Sequence, residues 1–156
     1  MCGIAGFYNP NQNYVAQKQK WQHILDEMNL AQRRRGPDDS GTYLTSLCGL
    51  CHVRLEILDL FTGHQPMIRT DPGRECAIVF NGEIYNMKEL KSELLSEGVT
   101  FHTTSDTEVI LTGYMLHGED YIQKLNGIFA IALWDSASER FYLFRDRLGV
   151  KPLFYT

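Results

Sequence analysis

Cys2 is the residue with the most unusual chemical prospects, because removal of Met1 would make it the first residue of the chain. A cysteine thiol and an α-amino group ordinarily titrate within about one pH unit of each other, so passing a proton between them costs only about 1 kcal/mol. One terminal residue can then supply both a nucleophile and its own general base, as N-terminal threonine does in some hydrolases. A cysteine that stands second without function fits the same residues, and a retained Met1 would lock the amine into a peptide bond. The apolar run behind it, Gly3-Ile4-Ala5-Gly6-Phe7-Tyr8, reads as a buried strand that would hold this terminus rigid where termini normally fray.

Three other positions have the chemistry to serve such a nucleophile. Asn81-Gly82 follows the apolar run Cys76–Phe80, where an amide side chain and an unhindered backbone N–H could form an oxyanion hole; Asn-Gly is equally a strong hairpin-turn signal. Arg54, among the apolar residues of Val53-Arg54-Leu55-Glu56-Ile57, could grip a carboxylate through two parallel hydrogen bonds, or simply face solvent. Asp106 lies in the capping box Ser105-Asp106-Thr107-Glu108, where an acid favours a helix start and could also hold an ammonium group. Cys48-Gly49-Leu50-Cys51-His52 has haem-attachment spacing, but it sits in an apparent strand and has no second Cys pair to complete a zinc site, so it reads as buried thiols. Arg33-Arg34-Arg35 reads as cations complementing a helix C-terminus. With neither a Gly-rich dinucleotide fingerprint nor a phosphate-binding loop, ATP is not expected to bind here.

The elements that must position these residues follow from pattern. Trp21, Ile24, Leu25, Met28 and Ala31 recur at helical spacing over 17–35, and Gly36-Pro37 stops them. Residues 40–60 read as two strands, and Asp71-Pro72-Gly73 turns into a third. Asn86 and Ser105 each open a capping box; Gly98 ends the first helix, and the second runs through Val109, Ile110 and Leu111. Ile128–Trp134 and Arg140–Arg145 read as a hairpin, followed by a short strand at Leu153–Tyr155. Strand clusters separated by helices predict an α+β domain with mainly antiparallel sheets.

Composition agrees with a single folded domain. The chain has 156 residues, 44% hydrophobic and 22% charged, close to the globular average and far from disordered or coiled-coil compositions. A net charge of −4 argues against a nucleic-acid partner. The longest apolar run, Ile128–Trp134, is too short for a membrane span. No secretory signal pattern opens the chain, so a cytoplasmic location with reduced cysteines is expected.

Taken in order, Met1-Cys2-Gly3-Ile4-Ala5-Gly6, Arg35-Gly36-Pro37-Asp38, His52-Val53-Arg54-Leu55, Gly63-His64-Gln65-Pro66-Met67, Phe80-Asn81-Gly82-Glu83-Ile84-Tyr85-Asn86, Ser105–Val109 and Arg145–Tyr155 resemble the N-terminal glutaminase domain of class II glutamine amidotransferases. Arg-Gly-Pro-Asp and Asn-Gly-Glu-Ile-Tyr-Asn are similar to the glutamine-hydrolysing asparagine synthetase branch. The resemblance spans nearly the whole chain and implies an N-terminal-nucleophile hydrolase fold, a four-layer αββα sandwich. It implies that Cys2 attacks the side-chain amide of L-glutamine and that Asn81 and the Gly82 N–H stabilise the oxyanion. Arg54 with the segment at Leu55, Ile57 and Leu58 would take the substrate α-carboxylate, and Asp106 with Glu83 its α-ammonium. No metal or cofactor is expected in this domain. ATP and magnesium would belong to a C-terminal synthetase domain downstream, which would receive the ammonia, and the full-length protein could be a homodimer. Another ammonia acceptor, such as a β-lactam or peptide carboxylate, or a non-catalytic glutamine-binding scaffold, are the alternatives. An interdomain surface is expected near the C-terminal hairpin.

Overall fold

The computed structural model describes residues 2–55 and 63–156. Strand β1 (Gly3–Tyr8) is followed by a 3₁₀ turn at Tyr14–Gln17 and by helix α1 (Lys18–Gln32). Strands β2 (Asp39–Leu44) and β3 (Cys48–Arg54) come next, and β1 and β2 both pair antiparallel with β3 to give a sheet of order β1-β3-β2. Strands β4 (Met67–Asp71) and β5 (Arg74–Ile84), helices α2 (Met87–Ser96), α3 (Asp106–His117) and α4 (Glu119–Gln123), and strands β6 (Gly127–Asp135) and β7 (Arg140–Arg145) complete the chain. The last four strands form a second antiparallel sheet of order β4-β5-β6-β7.

Strand alternation sorts the side chains into layers. Cys48, Leu50, Ala77, Val79, Ala132 and Trp134 form the apolar layer between the sheets, joined by Ile4 and Tyr43. The opposite face of the second sheet, including Ile78, Phe80, Ile84 and Ile131, packs on Leu90, Leu94, Val109 and Ile110 of α2 and α3. Helix α1 covers the outer face of the first sheet, where Phe7, Tyr14 and Trp21 meet ring to ring. The result is the expected αββα order of layers, an α+β arrangement of two antiparallel sheets.

Several sequence expectations need correction. Asn81-Gly82 is not a hairpin turn: β5 runs through both residues to Ile84, with Asn81 opposite Ala130. Gly82 is absent from the glycines with positive φ; a Cβ on it would run into the Ile128 carbonyl, so glycine is needed for the close approach of β6. The true turn is at Gly73, whose φ is +78°. Ser105 caps α3 through a bond from the Glu108 N–H, but Asn86 makes no side-chain cap. Its amide instead bridges to Asn126 and Lys124. The strand expected at Leu153–Tyr155 does not form; Phe154 and Tyr155 are exposed, as are Leu148 and Val150. Strand β4 and helix α4 carried too little periodicity to be anticipated. Cys48 faces the inter-sheet layer, while the odd-numbered Cys51 lies on the other face beside Gln32, so the two cannot share a metal. All four cysteines are free, and burial pushes Cys48, Cys51 and Cys76 up to about 12.

Candidate functional site

The apolar layer between the sheets turns polar at one end. On β3 the series Cys48, Leu50 continues to His52 and Arg54; on β5 the series Ala77, Val79 continues to Asn81. On β1, Ile4 looks between the sheets and Phe7 toward α1, so Cys2, just ahead of the strand, continues the inter-sheet series. The pairing Gly3↔Val53 sets Cys2 alongside Arg54. Cys2 is partly exposed, and the Arg35 Nε–H donates to its carbonyl at 3.2 Å. Asn81 is buried.

The second feature is the open edge of β5. Strand β4 stops pairing at Met67↔Ile78, so beyond that point β5 lacks a neighbour on one side. Side chains take its place. Gln65 Oε1 accepts from the Phe80 N–H at 2.6 Å while Gln65 Nε2 donates to Thr107 Oγ1 at 3.1 Å. Asp106 Oδ2 accepts from the Ile84 N–H at 3.0 Å. Gly82 lies midway, and alternation points its N–H to the same side. Its partner Phe129 confirms this, since the Phe129 N–H and C=O both face away from β5 to bond Asp146.

Asp106 and Glu83 are neighbours at the start of α3. Burial, and secondarily the Glu83 charge, push the Asp106 carboxyl above the usual aspartate range despite the Ile84 N–H. Gly63, at φ +95°, sits between Ser105 and the Arg54 guanidinium: a Cβ there would meet the Ser105 Cβ at 3.1 Å and Arg54 Nη2 at 3.5 Å. Arg54 is thereby brought to the N-terminus of α3. Leu55 is half-buried beyond β3, whereas Ile57 and Leu58 lie outside the described residues. Strand register and alternation thus place a thiol, a buried amide, an edge N–H, a guanidinium and a carboxylate at this end of the fold, the kinds of group that could hold an amino acid and attack its side chain. Among the described residues no group of three or more His, Cys, Asp or Glu could hold a metal ion, and no helix is long and apolar enough to cross a membrane.

A family model described as a glutamine amidotransferase domain matches residues 1–156. The chain belongs to this family. Asparagine synthetase [glutamine-hydrolyzing] 3 of Bacillus subtilis is 42% identical over 156 residues, covering all of this chain and 25% of that protein. Asparagine synthetase [glutamine-hydrolyzing] 2 of Arabidopsis thaliana is 39% identical over 154 residues, covering 99% of this chain and 25% of its own length. The chain thus spans about a quarter of the curated relatives it matches. A solved structure, the allosteric regulatory enzyme of purine biosynthesis, superposes with a TM-score of 0.59 at 24% identity, over 70% of this chain and 25% of that one. This likeness shows a shared fold of two antiparallel sheets with helices.

Within the amidotransferase domain, sequence reasoning missed the contacts of Arg35, Gly63 and Gln65. Arg35 was indistinguishable from a helix-end cation, yet it lies beyond α1 and reaches back to Cys2. Gln65 and Gly63 act across the fold on β5 and α3, contacts for which local spacing has no signal.

Proposed function

We propose that this domain hydrolyses L-glutamine to glutamate and ammonia, and that the ammonia serves a synthetase domain that makes asparagine. The observation that supports the reading is the strand register, which puts Cys2 alongside Arg54 and gives Asn81 the inward-facing position before the outward-facing Gly82 N–H. With Met1 removed, the Cys2 thiol passes its proton to its own α-amino group and attacks the amide carbon. Asn81 and the Gly82 N–H bind the oxygen as it becomes negative, which is where hydrogen bonds accelerate acyl transfer. The α-ammonium returns the proton to the leaving nitrogen, ammonia departs, and water cleaves the γ-glutamyl thioester. Arg54 takes the substrate α-carboxylate in a forked bond, with Leu55, Ile57 and Leu58 alongside, while Asp106 and Glu83 take the α-ammonium.

The names of the relatives support asparagine as the product of the full-length protein. The exposed Leu148, Val150, Phe154 and Tyr155 after β7 fit an apolar surface for the synthetase domain. ATP and magnesium would act in that domain and not in this one, and free cysteines are in keeping with a cytoplasmic protein. Rapid acid quench of the enzyme with glutamine should trap a γ-glutamyl adduct by intact mass, mapped to Cys2 and missing from Cys2→Ala. Glutamate release with an adduct on another residue, or from Cys2→Ala, would reject the mechanism.

A further inference from the structure

The side chains that stand in for a missing strand along β5 leave one backbone group to account for. Gln65 takes the Phe80 N–H and Asp106 the Ile84 N–H. Between Phe80 N and Gly82 N on that same edge lies the Phe80 carbonyl, since an antiparallel residue turns its N–H and C=O to one side. His52 is fully buried on β3, the next inward-facing residue after Leu50, and so lies in the layer that faces β5. Neither ring nitrogen makes a hydrogen bond to any described residue, although the Phe80 backbone is close enough to bias the ring toward holding a proton. A buried polar ring with neither nitrogen satisfied is costly and rare in folded proteins. An apolar side chain would fill the end of this layer more cheaply.

We propose that His52 is a positioning residue for the oxyanion hole: its neutral ring donates a hydrogen bond to the Phe80 carbonyl when charge develops at Gly82, fixing the open edge of β5 so that the Gly82 N–H stays aimed at the reacting oxygen. The inference rests on the glutaminase reading above. Neutrality follows from the surroundings. Burial dominates and holds the ring down to about 4; Asp39 on β2 is the next influence and favours protonation, Arg54 on the same strand and His64 oppose it, and the Phe80 backbone favours it least. A neutral ring keeps one donor and one acceptor, the arrangement that a lone carbonyl partner can use.

His52→Leu and His52→Asn in the full-length protein, each with its N-terminus defined by intact mass, test this. In His52→Leu, kcat for glutamate release should fall at least tenfold with KM for glutamine within about threefold, because the ring acts only through the oxyanion edge. Alkylation of Cys2 by iodoacetamide, which develops no oxyanion, should stay within about twofold, and the thermal midpoint should not fall. His52→Asn, which keeps a donor, should recover a good part of kcat. Should the Leu variant fail to fold, His52→Met, apolar and flexible, replaces it. Unchanged kcat in the apolar variant would overturn the proposal, as would a parallel loss of Cys2 alkylation or a lowered thermal midpoint that accounts for the rate. A wild-type protein that releases no glutamate would instead reject the glutaminase reading itself.

Discussion

Asp106 has a structural place that leaves room for the proposed one. Its carboxylate accepts the Ile84 N–H at the open edge of β5 and stands at the first turn of α3, where the helix dipole favours an acid. Burial and Glu83 nevertheless raise its pKa, so its charged form weighs against the fold at pH above the ordinary aspartate range. Such a penalty is retained where the charge has work to do. Asp106→Asn keeps an oxygen for Ile84 and removes the charge. Its KM for glutamine should rise roughly 10–100-fold, the scale of a charge-assisted hydrogen bond, while its thermal midpoint stays level or rises. Steady-state kinetics with a melting curve checks both, and a lower midpoint with unchanged KM would make Asp106 a plain cap. At Asn81 the loss should fall on turnover: Asn81→Ala should lower kcat by about 10²–10³, as removal of one oxyanion donor does elsewhere.

Strands β5 and β6 carry the site, and their far end is fastened by a polar joint. Arg74 forks onto Asp135 at 3.1 and 2.7 Å, the Tyr114 hydroxyl of α3 donates to the same carboxylate at 3.0 Å, and the Ala137 N–H adds a fourth bond at 3.1 Å. Asp135→Ala strands Arg74 and Tyr114 together and should cost roughly 3 kcal/mol, read as a lower denaturant midpoint at unchanged slope. How far these elements were legible depended on where their signal lay. The capping box at Ser105 located α3, although the helix is buried nearly all round and shows no one-sided stripe. Asn86 has the same local sequence signature, but Asn126 and Lys124 take its amide. Asn81-Gly82 could be read as a turn or as a site until the partner strand was known. The close approach of Ile128 is what demands glycine there, a tertiary fact with no local trace.

Across the whole molecule, titration should loosen the fold in two stages as pH falls. His52 has its pKa lowered to about 4 by burial, so it adds no titration penalty above the ordinary histidine value of about 6.5 and destabilises the fold increasingly as pH falls through that window, by at most about 1.4 kcal/mol per pH unit. For Glu108, Asp135 and Asp146, burial alone would raise the pKa, but hydrogen bonds outweigh it: His102 and Thr103 hold Glu108, Arg74 and Tyr114 hold Asp135, and the Lys151, Val150 and Phe129 N–H groups hold Asp146. Their stabilisation is present above about pH 4 and disappears below it. Denaturation curves from pH 7 to 3 should show both stages, with the upper one missing in His52→Leu; a flat profile between pH 6.5 and 4.5 in the wild type would contradict it. At this scale the α+β class and its mainly antiparallel sheets were readable from the sequence, while β4, α4 and the absence of a strand at Leu153–Tyr155 were not. The side chains that replace a strand along β5 were not legible in that role, because Gln65 and Asp106 reach its backbone only through tertiary contacts.

Glutamate release from L-glutamine, measured on protein whose N-terminus has been defined by intact mass and beside a Cys2→Ala control, tests the central claim most directly. Release is expected from the chain that begins at Cys2, none from Cys2→Ala, and none from a chain that retains Met1. Release that persists in either of the last two would contradict it, as would silence from a folded, full-length protein with Cys2 exposed.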